Sequence, residues 1–103
     1  MKIRKLDDLA ATIRRLRGEG KTVALCHGCF DLLHLGHIKH LQMARAVADY
    51  LCVTISPDRF VDKGPNRPFF TETLRAEALA ALECVDFVGI NEWPTAEETL
   101  RTL

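Results

Sequence analysis

Val23-Ala24-Leu25-Cys26-His27-Gly28-Cys29-Phe30-Asp31-Leu32-Leu33-His34-Leu35-Gly36-His37 decides how the rest of the chain reads. The apolar run at its start predicts a buried strand, and a helical pattern begins near Gly36. Between them lie a glycine-bearing turn and, at the helix start, His34 and His37. α/β proteins hold phosphate with this arrangement, because unpaired N–H groups and the helix dipole at a helix N-terminus favour an anion.

Working outward, Ile38, Leu41, Ala44 and Val47/Ala48 form one apolar helix face, and residues 51–55 (Leu-Cys-Val-Thr-Ile) read as a second buried strand. Strand, helix and strand make a βαβ unit with a right-handed crossover. Residues 21–26 lack alternation, as expected of a central parallel strand covered on both faces. Upstream, Leu6, Leu9, Ala10, Ile13 and Leu16 recur at helical spacing over residues 7–17. Asp7 or Asp8 is the expected cap of that helix, and Gly18 and Gly20 its stop.

Downstream, residues 56–70 read as a loop rich in proline, at the strand edge where open α/β sheets bind ligands. Thr71 or Thr73 starts a helix whose apolar face is expected at Leu74, Ala78, Ala81, Leu82 and Val85. A third strand follows at residues 85–90, then a helix opened by Pro94 with a Thr95–Glu98 capping box. The alternation predicts a Rossmann-like three-layer α/β/α fold with a parallel sheet of at least three strands. The expected organisation is a single domain over residues 1–103. It comprises an N-terminal helix at 1–20, a core at 21–92 and the start of a C-terminal segment at 93–103.

Composition narrows the function. The 103 residues balance 14 Lys+Arg against 14 Asp+Glu, so no basic surface for nucleic acid is expected. No apolar stretch is long enough to span a membrane, and residues 1–8 lack a signal-peptide core, so the expected location is cytoplasmic. The four cysteines are then expected to be reduced, with Cys52 and Cys84 as small core residues.

Three chemistries compete for residues 26–37. As zinc ligands, Cys26-x-x-Cys29 and His34-x-x-His37 have suitable atoms, but only four residues separate the pairs, too few for a zinc knuckle. As a thiol redox motif, Cys-x-x-Cys leaves both histidines without work and meets Gly36 where its helix should continue. In phosphate chemistry Gly28 permits the tight turn and close backbone N–H groups, and Gly36 lets a phosphate approach the helix start. His34 and His37, three residues apart, can then address the same oxygens and stabilise developing charge without forming a covalent bond.

Residues 28–37 resemble the signature of the cytidylyltransferase-like nucleotidyltransferases, whose hallmark is His-x-Gly-His. Ser56-Pro57-Asp58, Lys63-Gly64-Pro65-Asn66-Arg67-Pro68, Arg75 and Val85-Asp86-Phe87-Val88 look most like the adenylyltransferase domain of bacterial ADP-heptose synthases. Glycerol-3-phosphate cytidylyltransferases are similar but match the Lys-Gly-Pro-x-Arg-Pro loop less well. The resemblance covers about residues 20–92. It implies that a sugar or polyol phosphate attacks the α-phosphorus of a nucleoside triphosphate carried with Mg2+, releasing pyrophosphate. AMP is favoured over CMP, and a non-catalytic nucleotide-binding module is the alternative from another class.

Carried over by residue, the resemblance implies His34, His37 and Lys63 as catalytic groups on the phosphates. It implies Gly28, Cys29, Phe30 and Gly36 as a backbone cradle, and Arg75 as a contact to the phosphates or the second substrate. Asp31 is implied in positioning magnesium or orienting the loop, and no resident metal site is implied. Enzymes of this kind are commonly homodimers. They also carry a further strand and a Ser-Thr-rich helix start, beyond Leu103 in the alignment of motifs, so a C-terminally truncated domain is expected.

Overall fold

The computed structural model describes residues 2–30, 33–58 and 71–91. Helix α1 (Leu6–Gly18) precedes strand β1 (Val23–Gly28), followed by α2 (Leu35–Ala46), β2 (Tyr50–Ile55), α3 (Glu72–Ala80) and β3 (Phe87–Ile90). The three strands are parallel in the order β1-β2-β3. This is the Rossmann-like α/β architecture read from the sequence.

Each helix is where its apolar stripe can be buried. Leu6, Leu9, Ile13 and Leu16 of α1 pack on Cys52 and Phe87, on one face of the sheet. On the other face Leu41 of α2 and Ala76 and Leu79 of α3 pack on Leu51, Val53, Ile55 and Val88. Right-handed crossovers taken in one direction across a sheet put α2 and α3 on the same side. Gly89 lets α1 sit close, since a Cβ there would lie 2.5 Å from Leu9 Cδ1.

Several local expectations change. β2, with residues 51–55 all buried, is the middle strand, whereas β1 lies at an edge among the described residues and is half-buried throughout. An unalternating apolar run marks a strand as buried but carries no information about which strands flank it. The far edge is bordered by the start of the chain: Ile3 bridges Val88, with Arg4 N–H donating to Val88 O at 3.0 Å and Val88 N–H to Lys2 O at 2.9 Å. No periodicity in residues 2–4 signals that pairing.

The first turn of α1 contains Asp7 and Asp8, but its N-cap is Lys5, with no side-chain cap bond. Val47 falls past the end of α2 and is 82% exposed. Of the two expected starts, Thr71 is the N-cap of α3, its hydroxyl accepting from Leu74 N–H, and the helix ends at Ala80. Its buried residues are Arg75, Ala76 and Leu79, and Leu74 is 51% exposed. The stripe chosen by hydrophobicity was offset because an arginine, scored as polar, is the residue that turns inward. Cys52 is in the core as expected, while Cys84 is only half-buried. Lys63, Asp31, most of the proline-rich loop and the Thr95–Glu98 capping box lie outside the described residues.

Candidate active site

The C-terminal ends of β1 and β2 meet the N-termini of α2 and α3, and there the chemistry-bearing residues gather. Helix α2 opens with a histidine cap. His34, in extended backbone conformation, is the N-cap, and its Nδ1 accepts from Gly36 N–H at 3.0 Å. His37 returns the favour, its Nδ1 accepting from His34 N–H at 3.2 Å. The pair reproduces the reciprocal logic of a capping box with imidazoles in place of hydroxyl and carboxylate.

This cap settles the tautomers. In both bonds the backbone N–H is the donor, so each Nδ1 must be unprotonated and each neutral ring carries its proton on Nε2. The ring centroids are 3.9 Å apart with the planes tilted by 30°. Two N–H donors therefore sit side by side at a helix N-terminus, with the basic nitrogen of each ring occupied by the cap. Such a pair can donate to phosphate oxygens and is poorly suited to take a proton from a nucleophile.

The charge around the cap points the same way. The first turns of α1 and α3 contain Asp7, Asp8 and Glu72, whereas the first turn of α2 contains no acidic residue. The positive end of the α2 dipole is left for a ligand of negative charge.

The glycines serve the rings. A Cβ on Gly36 would lie 2.8 Å from His34 Cε1, and one on Gly28 2.8 Å from Phe30 Cε2. Phe30 itself has φ of +52°, a left-handed conformation that costs a residue with a Cβ about 1–2 kcal/mol. Its ring meets His37 edge to face, with centroids 5.4 Å apart. Gly28 thus admits the phenyl ring, which in turn abuts the second histidine.

Arg75 lies beneath this loop and is 2% exposed. One guanidinium nitrogen donates to Cys29 O and the other to Asp58 Oδ1, both at 2.8 Å. Asp58 N–H donates to Glu72 Oε1 at 3.0 Å, so the loop after β2 is tied to the start of α3. Sequence reading assigned Asp58 no role and missed the left-handed Phe30. Ser56-Pro57-Asp58 beside a helical arginine was the available signal, and it required knowing that both reach the same strand ends.

The cysteines are poor redox candidates. All four are free, burial raises the Cys26 thiol above its ordinary pKa, and burial together with Cys26 pushes Cys52 up to about 12. A reactive Cys-x-x-Cys needs a thiolate, which burial opposes. No group of three or more His, Cys, Asp or Glu among the described residues is placed to hold a metal ion. A cleft of about 400 Å³ lies at the β3 side, lined in part by Arg4, Lys5, Pro57 and Asn91, but none of the residues around the histidine cap lines it. His34, Leu35 and Gly36 at the start of α2 are exposed.

Comparison with known proteins agrees with this geometry. The family described as cytidylyltransferase-like matches residues 25–103. The chain belongs to this family. It is the family expected from the 28–37 signature. Over 99% of its length the chain is 46% identical to a bifunctional protein HldE from Citrifermentans bemidjiense, and 45% identical to one from Campylobacter fetus. It spans only 21% and 22% of the lengths of these two relatives. A crystal structure of the lipopolysaccharide core biosynthesis protein from Thermoplasma volcanium superimposes with a TM-score of 0.65 at 28% identity, over 81% of this chain and 69% of that one. No helix among the described residues is long and apolar enough to cross a membrane.

Proposed function

We propose that this domain transfers AMP from ATP to a sugar phosphate such as heptose 1-phosphate, releasing pyrophosphate. The observation that carries the reading is the histidine cap: two Nε2–H donors at a helix N-terminus free of acidic residues. An acceptor phosphate oxygen attacks the α-phosphorus, a new P–O bond forms, and the bond to the bridging oxygen breaks as pyrophosphate departs. No protein nucleophile takes part. His34 and His37 donate to oxygens whose charge grows in the transition state, and the α2 dipole adds to the same field. Cys29, Phe30, Gly28 and Gly36 shape the backbone around the phosphates.

Magnesium arrives with the triphosphate as part of the substrate, in keeping with its habit of retaining phosphate and water ligands. Lys63 is assigned to the phosphates, and Asp31 to positioning magnesium or orienting the loop, on the resemblance alone. The adenylyl donor and the heptose acceptor are supported by the likeness of the Lys63–Pro68 stretch to ADP-heptose synthases.

The test is pyrophosphate release from each of the four triphosphates with magnesium and candidate sugar phosphates. ATP with heptose 1-phosphate is expected to be the productive pair, and His34→Asn and His37→Asn to reduce turnover by about 10²–10³-fold. CTP with glycerol 3-phosphate as the better pair would shift the assignment to cytidylyl transfer. Nucleotide binding with no turnover in any combination would overturn the enzymatic reading.

A further inference from the structure

We propose that Arg75 is a positioning residue: together with Asp58 it orients the Cys29–Phe30 peptide so that Phe30 N–H faces the nucleotide phosphates. This rests on the reading of the site as a nucleotide site, and it replaces a contact between Arg75 and substrate with action through the backbone.

Three observations combine. First, the guanidinium is buried and its donors meet protein oxygens, at 2.8 Å to Cys29 O and 2.8 Å to Asp58 Oδ1. A polyphosphate could reach it only by displacing those bonds. Second, the C=O and N–H of a trans peptide point in opposite directions. With Cys29 O drawn inward to Arg75, the N–H of Phe30 points away from the buried guanidinium. Among the described residues no acceptor receives it. Third, Phe30 is held at φ of +52°, with its ring over Gly28 and against His37. A non-glycine residue keeps such a conformation only when its surroundings enforce it, and strain of this kind concentrates at functional sites. The bond from Arg75 to the preceding carbonyl is the enforcing contact.

The planar fork of arginine matters here, because a single side chain must reach a carbonyl and a carboxylate at once. Lysine offers equal charge without that geometry. If Arg75 instead met phosphate as a charge, Arg75→Lys would preserve binding, and Asp58→Asn, by removing a competing carboxylate, would strengthen it.

The experiment is NMR and ATP–magnesium titration on the full 103-residue chain, wild type against Arg75→Lys and Asp58→Asn. Positioning predicts that in ligand-free protein the Phe30 Cα shift leaves its left-handed value in Arg75→Lys while β2 amides stay in place. It also predicts that both variants bind ATP about tenfold more weakly, the loss of one hydrogen bond to a charged group. Unchanged Phe30 shifts in Arg75→Lys, or ATP affinity retained in Arg75→Lys and raised in Asp58→Asn, would overturn it. Should wild type show no ATP-dependent shift, the functional reading fails, and the ligand-free Phe30 shift still decides whether Arg75 sets the peptide.

Discussion

At the C-terminal end of the sheet Arg75 pairs with Asp58 at 2.8 Å, the arginine side chain being 1% exposed. At the N-terminal end Arg45 pairs with Asp86 at 3.1 Å, with the arginine side chain 39% exposed. The second pair closes off structure. Asp86 Oδ2 also accepts Leu51 N–H, Arg45 donates to Ala48 O beyond the end of α2, and Thr22 and Asp49 exchange bonds between the starts of β1 and β2. Thr22 N–H and hydroxyl, with smaller help from Lys21 and Arg45, hold the Asp49 carboxyl below the ordinary range against a small desolvation effect. Thr22, Arg45, Asp49 and Asp86 all bond to neighbouring protein groups there. The Arg75 pair instead supports the loop that leads into the histidine cap at the start of α2. One end of the sheet is tied off, and the other is held open at a cost in strain.

That contrast makes His34 the most informative position. Asn is as good an N-cap as any residue, so His34→Asn should keep the α2 cap and the melting temperature while losing turnover by about 10²–10³-fold. His34→Ala should lose the cap as well, about 1 kcal/mol in urea unfolding. Equal stability losses in the two variants would show that the ring, rather than the cap bond, is structural.

Arg75→Ala should destabilise the chain by about 3 kcal/mol in the same assay, the low end for breaking a buried pair, because Asp58 stays 39% exposed and can be hydrated. Asp86→Asn at the opposite end should cost only about 1 kcal/mol and leave pyrophosphate release unchanged. Comparable losses at both ends would erase the distinction between them. Gly36→Ala falls between the two kinds of effect. Alanine favours the helix by about 1 kcal/mol, but its Cβ must displace the His34 ring, so thermal unfolding should hardly move while turnover falls.

The smallest effect expected is that of His27. It lies in β1 with Nδ1 2.8 Å from Thr54 Oγ1, and burial lowers its pKa from 6.5. The unfolded chain then binds the proton more readily, so this residue's contribution to stability is full above pH 6.5 and is lost as pH falls below that value. Melting temperatures of wild type and His27→Gln, compared across that range, should converge or cross on acidification. Parallel curves would contradict the assignment.

How much of this was legible beforehand varies by element. Helix α1 was, because Leu6, Leu9, Ile13 and Leu16 obey one period and bury as one stripe. The start of α3 was narrowed to Thr71 or Thr73, and the structure makes Thr71 the cap. The face of α3 was not, because Arg75 is turned inward by Cys29 O and Asp58, 46 and 17 residues away along the chain. Nor were the neighbours of Gly28 and Gly36, where a Cβ would meet the Phe30 and His34 rings.

By itself the sequence determined the βαβ order, the family and the place of two histidines at the start of α2, since these depend on short-range period, spacing and residue type. Tertiary structure alone decided that β2 is central, that Arg75 is buried and that Phe30 is left-handed. Each of these depends on groups that meet only after the strands have paired, and no local pattern encodes such a meeting.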